Sequence, residues 1–570
     1  MTEPNEPTGR AGTTRTADVT HMKWWGWGVE GVGFRHEDKP DFAPFVQRAV
    51  GLDLRTAERT TERPDFSRLK VPASTVPEEF VALLTDLVGA GNVLVDDLSR
   101  LVHTYGKSLR DLVRIRAGEL ARSPDVIVYP ADEAEVRRVV DAAVAADAVI
   151  IPFGGGSNIA GSLEPHPDES RVVVSLDLGR LDRVLEIDSG SGLARVQAGA
   201  LGPHLEAQLN REGWTMGHFP DSFSHSSLGG WVATRSSGMQ SDKYGDIADI
   251  VKGLRVVRAG GVLVVRAVPS ASTGPSVREM VVGSEGRLGV ITEVTVQVHR
   301  LPAERAIHAY FFRDLDHGLA AMREIAESDV SPSVTRVSDA HETAFSLATA
   351  KESKGIRRTA QAGLMAYLRR RGWNLDEMCL SFIGFEGDGA HVKRQKSIVD
   401  RIVRRHHGIG VGRGPGALYD QKKFDTPYIR DFLLDRGAAG DVSETAGPWS
   451  KLRGIHAAVY EAADLAYQRI GRTGWTMSHM SHSYHSGACL YFTFAFVFGD
   501  DPLGEYDTVK HAIQQAFVDA GGTLSHHHGV GLEHAPWLAE DISPQGVALV
   551  SGLFGAADPG GNFNPRKIVV

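Results

Sequence analysis

The chain has 570 residues, 42% hydrophobic and 23% charged, with a net charge of −9. That length exceeds one hydrophobic core and predicts two or three domains of ordinary globular composition. The acidic balance excludes a general nucleic-acid binder, which needs a concentrated positive field. The two cysteines, Cys379 and Cys489, have no paired spacing, so no disulfide framework or zinc ribbon is expected and a reducing, cytoplasmic compartment fits. The first 20 residues contain no apolar h-region and no stretch of about 18 apolar residues occurs, so neither secretion by that route nor a membrane span is expected, and Lys567-Ile568-Val569-Val570 does not read as a peroxisomal address. Peripheral contact with a membrane remains compatible with this.

In chain order, residues 1–20 read as a disordered tail, and ordering is expected to begin at the tryptophans of Met22-Lys23-Trp24-Trp25-Gly26-Trp27-Gly28. Residues 21–118 read as a mainly helical segment, with apolar residues at helical spacing around 80–84 and 109–115. A strand at 125–130, an amphipathic helix at 131–146 and a strand at 149–151 then form a β-α-β unit. It runs into Pro152-Phe153-Gly154-Gly155-Gly156-Ser157-Asn158. Further strands are expected at 171–176, 194–199, 254–257 and 294–298. After Pro302 strands alternate with long helices around 316–328, 390–406 and 451–470, which puts a domain boundary near residue 301. The run Arg369-Arg370-Arg371 reads as a solvated or substrate-side helix end.

The triple glycine removes the side chains that would keep backbone N–H groups from a pyrophosphate. Taken alone it reads equally as a phosphate cradle or a tight turn. It is followed by no Gly-Lys-Ser/Thr and lacks GxGxxG spacing, so neither a P-loop nor a Rossmann dinucleotide site is indicated.

Four ordered motifs carry a more specific message: 152–158; Gly217-His218-Phe219-Pro220-Asp221-Ser222; 229–238; and 283–293. Together they resemble the FAD-binding domain of the vanillyl-alcohol oxidase type. Met22-Lys23-Trp24, Tyr428-Ile429-Arg430-Asp431, Ser483-Tyr484, Gly487-Ala488-Cys489-Leu490-Tyr491-Phe492 and Ser525-His526-His527-His528-Gly529 narrow the resemblance to the alkyldihydroxyacetonephosphate synthase family. The resemblance implies an α+β fold: an FAD-binding domain of two subdomains at 119–301, an α+β substrate or cap domain at 302–520, and a C-terminal segment at 521–570 that returns the His triplet to the flavin. A homodimer is also implied.

By that resemblance the cofactor is FAD, held by Pro152, Phe153, Gly154, Gly155, Gly156, Ser157, Asn158, Gly161, Pro220, Asp221, Ser222, Ser226, Gly229, Gly230, Thr234, Arg235, Ser236, Ser237, Glu285, Gly286, Leu288, Gly289, Val290 and Ile291. Some members of the fold tether flavin through a His just after the glycine loop. Ser157 stands here, so non-covalent FAD is expected. The implied chemistry exchanges the acyl chain of acyl-dihydroxyacetone phosphate for a long-chain fatty alcohol, with flavin N5 as covalent handle and no net redox change.

Exchange beside a ketone needs a proton removed and returned. Tyr484 matches the family's catalytic tyrosine and His526, His527 and His528 its essential triplet. Three adjacent histidines also raise a metal site, but in an extended strand neighbouring side chains face opposite ways, so no metal is expected. Arg430 matches an arginine for the substrate's anionic end and Arg336 one that orders the flavin edge. His479 and His482, taken as substrate-binding, and His485 replace residue types of the synthase pattern. They open an alternative, an FAD-dependent 2-hydroxy-acid oxidase or dehydrogenase, with a non-catalytic FAD protein as a third reading. Periodicity does not say which residues line an alkyl tunnel.

Overall fold

The computed structural model describes residues 19–57, 64–351, 356–422, 424 and 426–569. The expected tail lies, through residue 18, outside the described residues. The tryptophans that follow it are buried, Trp24, Trp25 and Trp27 being at most 4% exposed. Helices Phe42–Val50, Glu78–Val88, Asp97–Val102 and Leu109–Ala117 make up most of the regular structure before residue 118.

The β-α-β unit forms as strand Val126–Val128, helix Glu133–Ala145 and strand Val149–Phe153. The Asp132 carboxylate caps the helix by accepting the Glu135 N–H at 2.9 Å. Val136, Val139, Val140 and Ala143 give it one fully buried face, each valine contributing roughly 1.5–3 kcal/mol. Both strands pair in parallel with Val173–Asp177, which lies between them, and Val93–Leu94 adds an antiparallel edge. The other edge is covered from far along the chain. The Ile150 N–H donates to Asn562 O at 2.7 Å and the Asn564 N–H to Ile150 O at 2.9 Å.

A second, antiparallel sheet has the order Val184–Asp188, Leu193–Gln197, Val290–Gln297, Val251–Arg258, Gly261–Val265. It shares one apolar core with the first, joining Val139 and Ile150 to Val196, Val256 and Val294. The third sheet is antiparallel and seven-stranded: Ile409–Gly412, Glu304–Phe312, Cys379–Gly387, Val334–Ser338, Gly474–Ser483, Gly487–Val497, Ala438–Pro448. The long helices expected after residue 302 occur as Leu315–Ala326, Gly389–Arg405 and Leu452–Arg469, joined by Pro502–Asp519. They bury Ile325, Val399, Val459 and Phe517 against sheet residues Phe492, Phe494 and Phe496. The molecule is α+β, and its other sheet face is left for a cavity. Arg369, Arg370 and Arg371 are exposed around the end of helix Ile356–Arg370. No helix among the described residues is long and apolar enough to cross a membrane.

Candidate functional site

A cavity of about 320 Å³ lies where the glycine loops meet the free face of the seven-stranded sheet. One wall is backbone. A Cβ on Gly155 would overlap the carbonyl oxygen of His225, and one on Gly154 would overlap Ser227 Oγ. The glycines thus let the loops at 154–156 and 225–230 close on each other. The N–H groups of Gly155, Gly156 and Ser157 have no hydrogen-bond partner among the described residues, an unpaired donor set on residues that line the cavity and suited to a pyrophosphate.

Most of the expected cofactor residues line this cavity: Pro152, Phe153, Gly154, Gly155, Gly156, Ser157, Asn158, Pro220, Asp221, Ser222, Ser226, Gly229, Gly230, Thr234, Ser236, Glu285, Gly286, Gly289 and Ile291. Four do not. Arg235 turns outward to Glu279 at 3.0 Å, Gly161 packs against Leu532, and Leu288 and Val290 belong to the core. Ser237 lines a smaller neighbouring cavity. The Glu285 carboxylate is used by protein groups, accepting Ser162 Oγ–H at 2.7 Å, Val530 N–H at 2.6 Å and Gly531 N–H at 2.9 Å.

The opposite wall carries imidazoles. The His triplet is not the extended strand expected from the sequence but a bend wrapped around a buried carboxylate, Glu444, on strand Ala438–Pro448. The N–H groups of His526, His527 and His528 donate to Glu444 at 2.7, 3.0 and 3.1 Å, and Ser525 Oγ–H donates at 2.9 Å. Burial opposes ionisation of Glu444, yet the three rings and the N–H donors hold its carboxyl well below the usual range. The alternation argument against a shared ligand set therefore does not apply: ligand-type atoms of Glu444, Cys489, His526 and His527 lie within 4.8 Å of one another. The imidazoles have hydrogen-bond partners of their own, His526 Nδ1 lying 2.9 Å from His527 Nδ1. His527 and His528 line the cavity, and burial pushes them down to about 3 and about 4.

The structure does not bring Tyr484 to the wall of either cavity. Its hydroxyl sits behind the triplet, 2.7 Å from Asp246 Oδ2 and 2.6 Å from His526 Nε2. Tyr491 is at the wall of both cavities, stacked between His479 at 5.0 Å and His527 at 6.0 Å. The smaller cavity also gathers Arg336, His479 and His482. Glu342 accepts from Arg336 at 2.6 Å and pairs with His479 at 3.0 Å. His482 is the extra residue of a β-bulge between Ser481 and Ser483 and takes φ of 51°, which aims its ring at His526 and His527.

Arg430 lines the large cavity. Its Nη1 donates to Lys107 O, while Nε and Nη2 are buried without a hydrogen-bond partner; the nearest Asp431 oxygen is 3.9 Å away. Beyond it the cavity becomes apolar, lined by Phe42, Phe45, Val46 and Val50 of the first helix together with Phe345, Leu433, Trp475 and Met477. Sequence reasoning missed Tyr491, Glu444 and Asp246. For Glu444 a signal existed: a carboxylate within a strand of a core sheet demands buried partners.

Residues 124–266 match the family model described as an FAD binding domain, and residues 301–568 that of FAD linked oxidases, C-terminal domain. The alkyldihydroxyacetonephosphate synthase of Dictyostelium discoideum is 39% identical over 494 residues, covering 86% of this chain and 80% of that one. A solved alkyldihydroxyacetonephosphate synthase superposes with a TM-score of 0.83 at 33% identity over 96% of this chain and 99% of its own. A p-cresol methylhydroxylase structure, at 15% identity and a TM-score of 0.68 over 88% of this chain and 99% of its own, shares the fold. With these domains and this degree of identity, the chain belongs to the alkyldihydroxyacetonephosphate synthase family of FAD-dependent enzymes.

Proposed function

We propose that the protein forms the ether bond of a glycerolipid, exchanging the acyl chain of an acyl-dihydroxyacetone phosphate for a long-chain fatty alcohol. The bond from the substrate carbon to the acyl oxygen breaks, the fatty acid leaves as carboxylate, and the alcohol oxygen bonds to that carbon without net oxidation or reduction. One observation carries this reading: a single cavity joins the glycine wall, His527 and Arg430 to an apolar branch wide enough to be lined by two sets of aromatic side chains.

The unpaired N–H groups of Gly155, Gly156 and Ser157 fit the FAD pyrophosphate. When bound, FAD would supply the nucleophilic nitrogen for the exchange. The free guanidinium nitrogens of Arg430 take the substrate's anionic end, two oxygens at once. His527 removes the proton beside the ketone and returns it. The Tyr491 hydroxyl, which has no hydrogen-bond partner among the described residues, donates to the ketone oxygen. Arg336 orders the polar corner beside it. The apolar branch excludes water and holds the alkyl chains.

Incubation of the holoenzyme with palmitoyl-dihydroxyacetone phosphate and hexadecanol without oxygen tests the reading. The hexadecyl ether and free palmitate are expected; absence of both with flavin intact overturns it. His482, whose buried Nδ1 lacks a hydrogen-bond partner, favours one second reading, 2-hydroxy-acid oxidation, for which anaerobic D-lactate would bleach the flavin. The proposal includes non-covalent FAD, fully released on denaturation, and a homodimer in peripheral contact with the membrane that delivers its substrates, testable by light scattering and vesicle flotation.

A further inference from the structure

Behind the histidine wall runs a chain of hydrogen bonds that ends on a carboxylate the cavity never meets. Asp246 caps the short helix Ile247–Ile250. Its Oδ2 is 2.7 Å from the Tyr484 hydroxyl, that hydroxyl is 2.6 Å from His526 Nε2, and His526 Nδ1 is 2.9 Å from His527 Nδ1. Burial opposes the charge on Asp246, but its surroundings, hydrogen bonds from Ser237 and Tyr484 among them, hold its carboxyl below the usual range. It is therefore an acceptor only.

The proton positions follow by elimination. A phenol has one proton, and an ionised carboxylate can only receive it. Tyr484 O–H thus donates to Asp246, and the phenol oxygen must accept from His526. That puts a proton on His526 Nε2. In the neutral form of His526 this leaves a lone pair on Nδ1, and the proton shared by the two Nδ1 atoms then belongs to His527. Burial keeps His527 neutral, so its Nε2 is bare; it has no hydrogen-bond partner among the described residues, and the ring lines both cavities.

We propose that Asp246 and Tyr484 are positioning residues that, through His526, lock His527 in its Nδ1–H tautomer and so present the Nε2 lone pair to substrate. This rests on His527 as the acid/base group. Neutral imidazole is free to carry its proton on either nitrogen, and a ring holding it on Nε2 is no base toward the cavity.

The test uses the holoenzyme labelled with ¹⁵N-histidine, His527 being assigned by the signal lost in His527→Gln. The wild type is expected to show a protonated Nδ1 and an unprotonated Nε2 at His527. Tyr484→Phe and Asp246→Asn are each expected to convert that pattern to a tautomer mixture and lower kcat roughly 10- to 100-fold with KM little changed. The double variant is expected to match Tyr484→Phe alone, because one chain is cut twice. A protonated Nε2 in the wild type, or unchanged tautomer and kcat in both single variants, overturns the proposal while leaving the acid/base reading intact. Full turnover in His527→Gln overturns the acid/base reading itself.

Discussion

On the glycine side of the cavity, recognition is left to backbone N–H groups, and side chains are absent where a Cβ would strike His225 or Ser227. On the histidine side the backbone is already spent on Glu444, and the chemistry falls to rings whose protonation the surroundings decide. On the proposed function the first wall acts through permanent dipoles that do not titrate, and the second through protons that a network must place. Holding a cofactor and moving a proton thus call for opposite uses of the main chain.

The comparison breaks most completely at Gly155. Gly155→Ala forces a methyl into the His225 carbonyl, an overpacking cost of about 1–3 kcal/mol or more, and the purified protein is expected to lack visible flavin absorbance. On the other wall, His527→Ala is expected to keep the flavin and lose turnover by about 10²- to 10⁴-fold, measured as ether formed per flavin. If both substitutions removed flavin, the division of labour would be wrong. Arg430→Met is expected to raise KM for the phosphate-bearing substrate about 10- to 100-fold, the worth of a hydrogen bond to a charged group, with flavin content unchanged.

The smallest effect concerns acid. His527 and His528 are pushed from 6.5 to about 3 and about 4. Below pH 6.5 the unfolded chain takes up these protons and the folded chain does not. Stability is therefore lost as pH falls through that window and is greatest above it. Thermal unfolding between about pH 7.5 and pH 5 is expected to show the decline, and His527→Gln with His528→Asn is expected to flatten it. An unchanged slope would mean that the rings titrate normally.

The glycine wall was legible in the sequence because it is local. A helix with a valine face and an aspartate cap leads into a strand and then three glycines, all within thirty residues. The fold was legible where burial imposed a period. Strand Val184–Asp188 was not, because its edge position leaves it largely exposed and without an apolar signature; Gly261–Val265, an edge strand of the same sheet, was missed too. The histidine wall was legible only as an inventory. That the triplet bends follows from Glu444, 82 residues upstream of His526. That Tyr491 reaches the cavity follows from which face of strand Gly487–Val497 meets the helices, since Tyr491 and Thr493 share one face and Phe492 and Phe494 the buried other, whereas Tyr484 lies in the turn before that strand. Neither relation has a sequence-local trace.

The hydrogen bonds of Ile150 to residues 562 and 564 have a consequence for the order of assembly. The strand that bears the glycine loop is among the early parts of the chain to leave the ribosome, yet its outer edge stays open until more than four hundred later residues have been translated. A prematurely ended chain would present that strand with an unfinished edge, open to pairing with another chain.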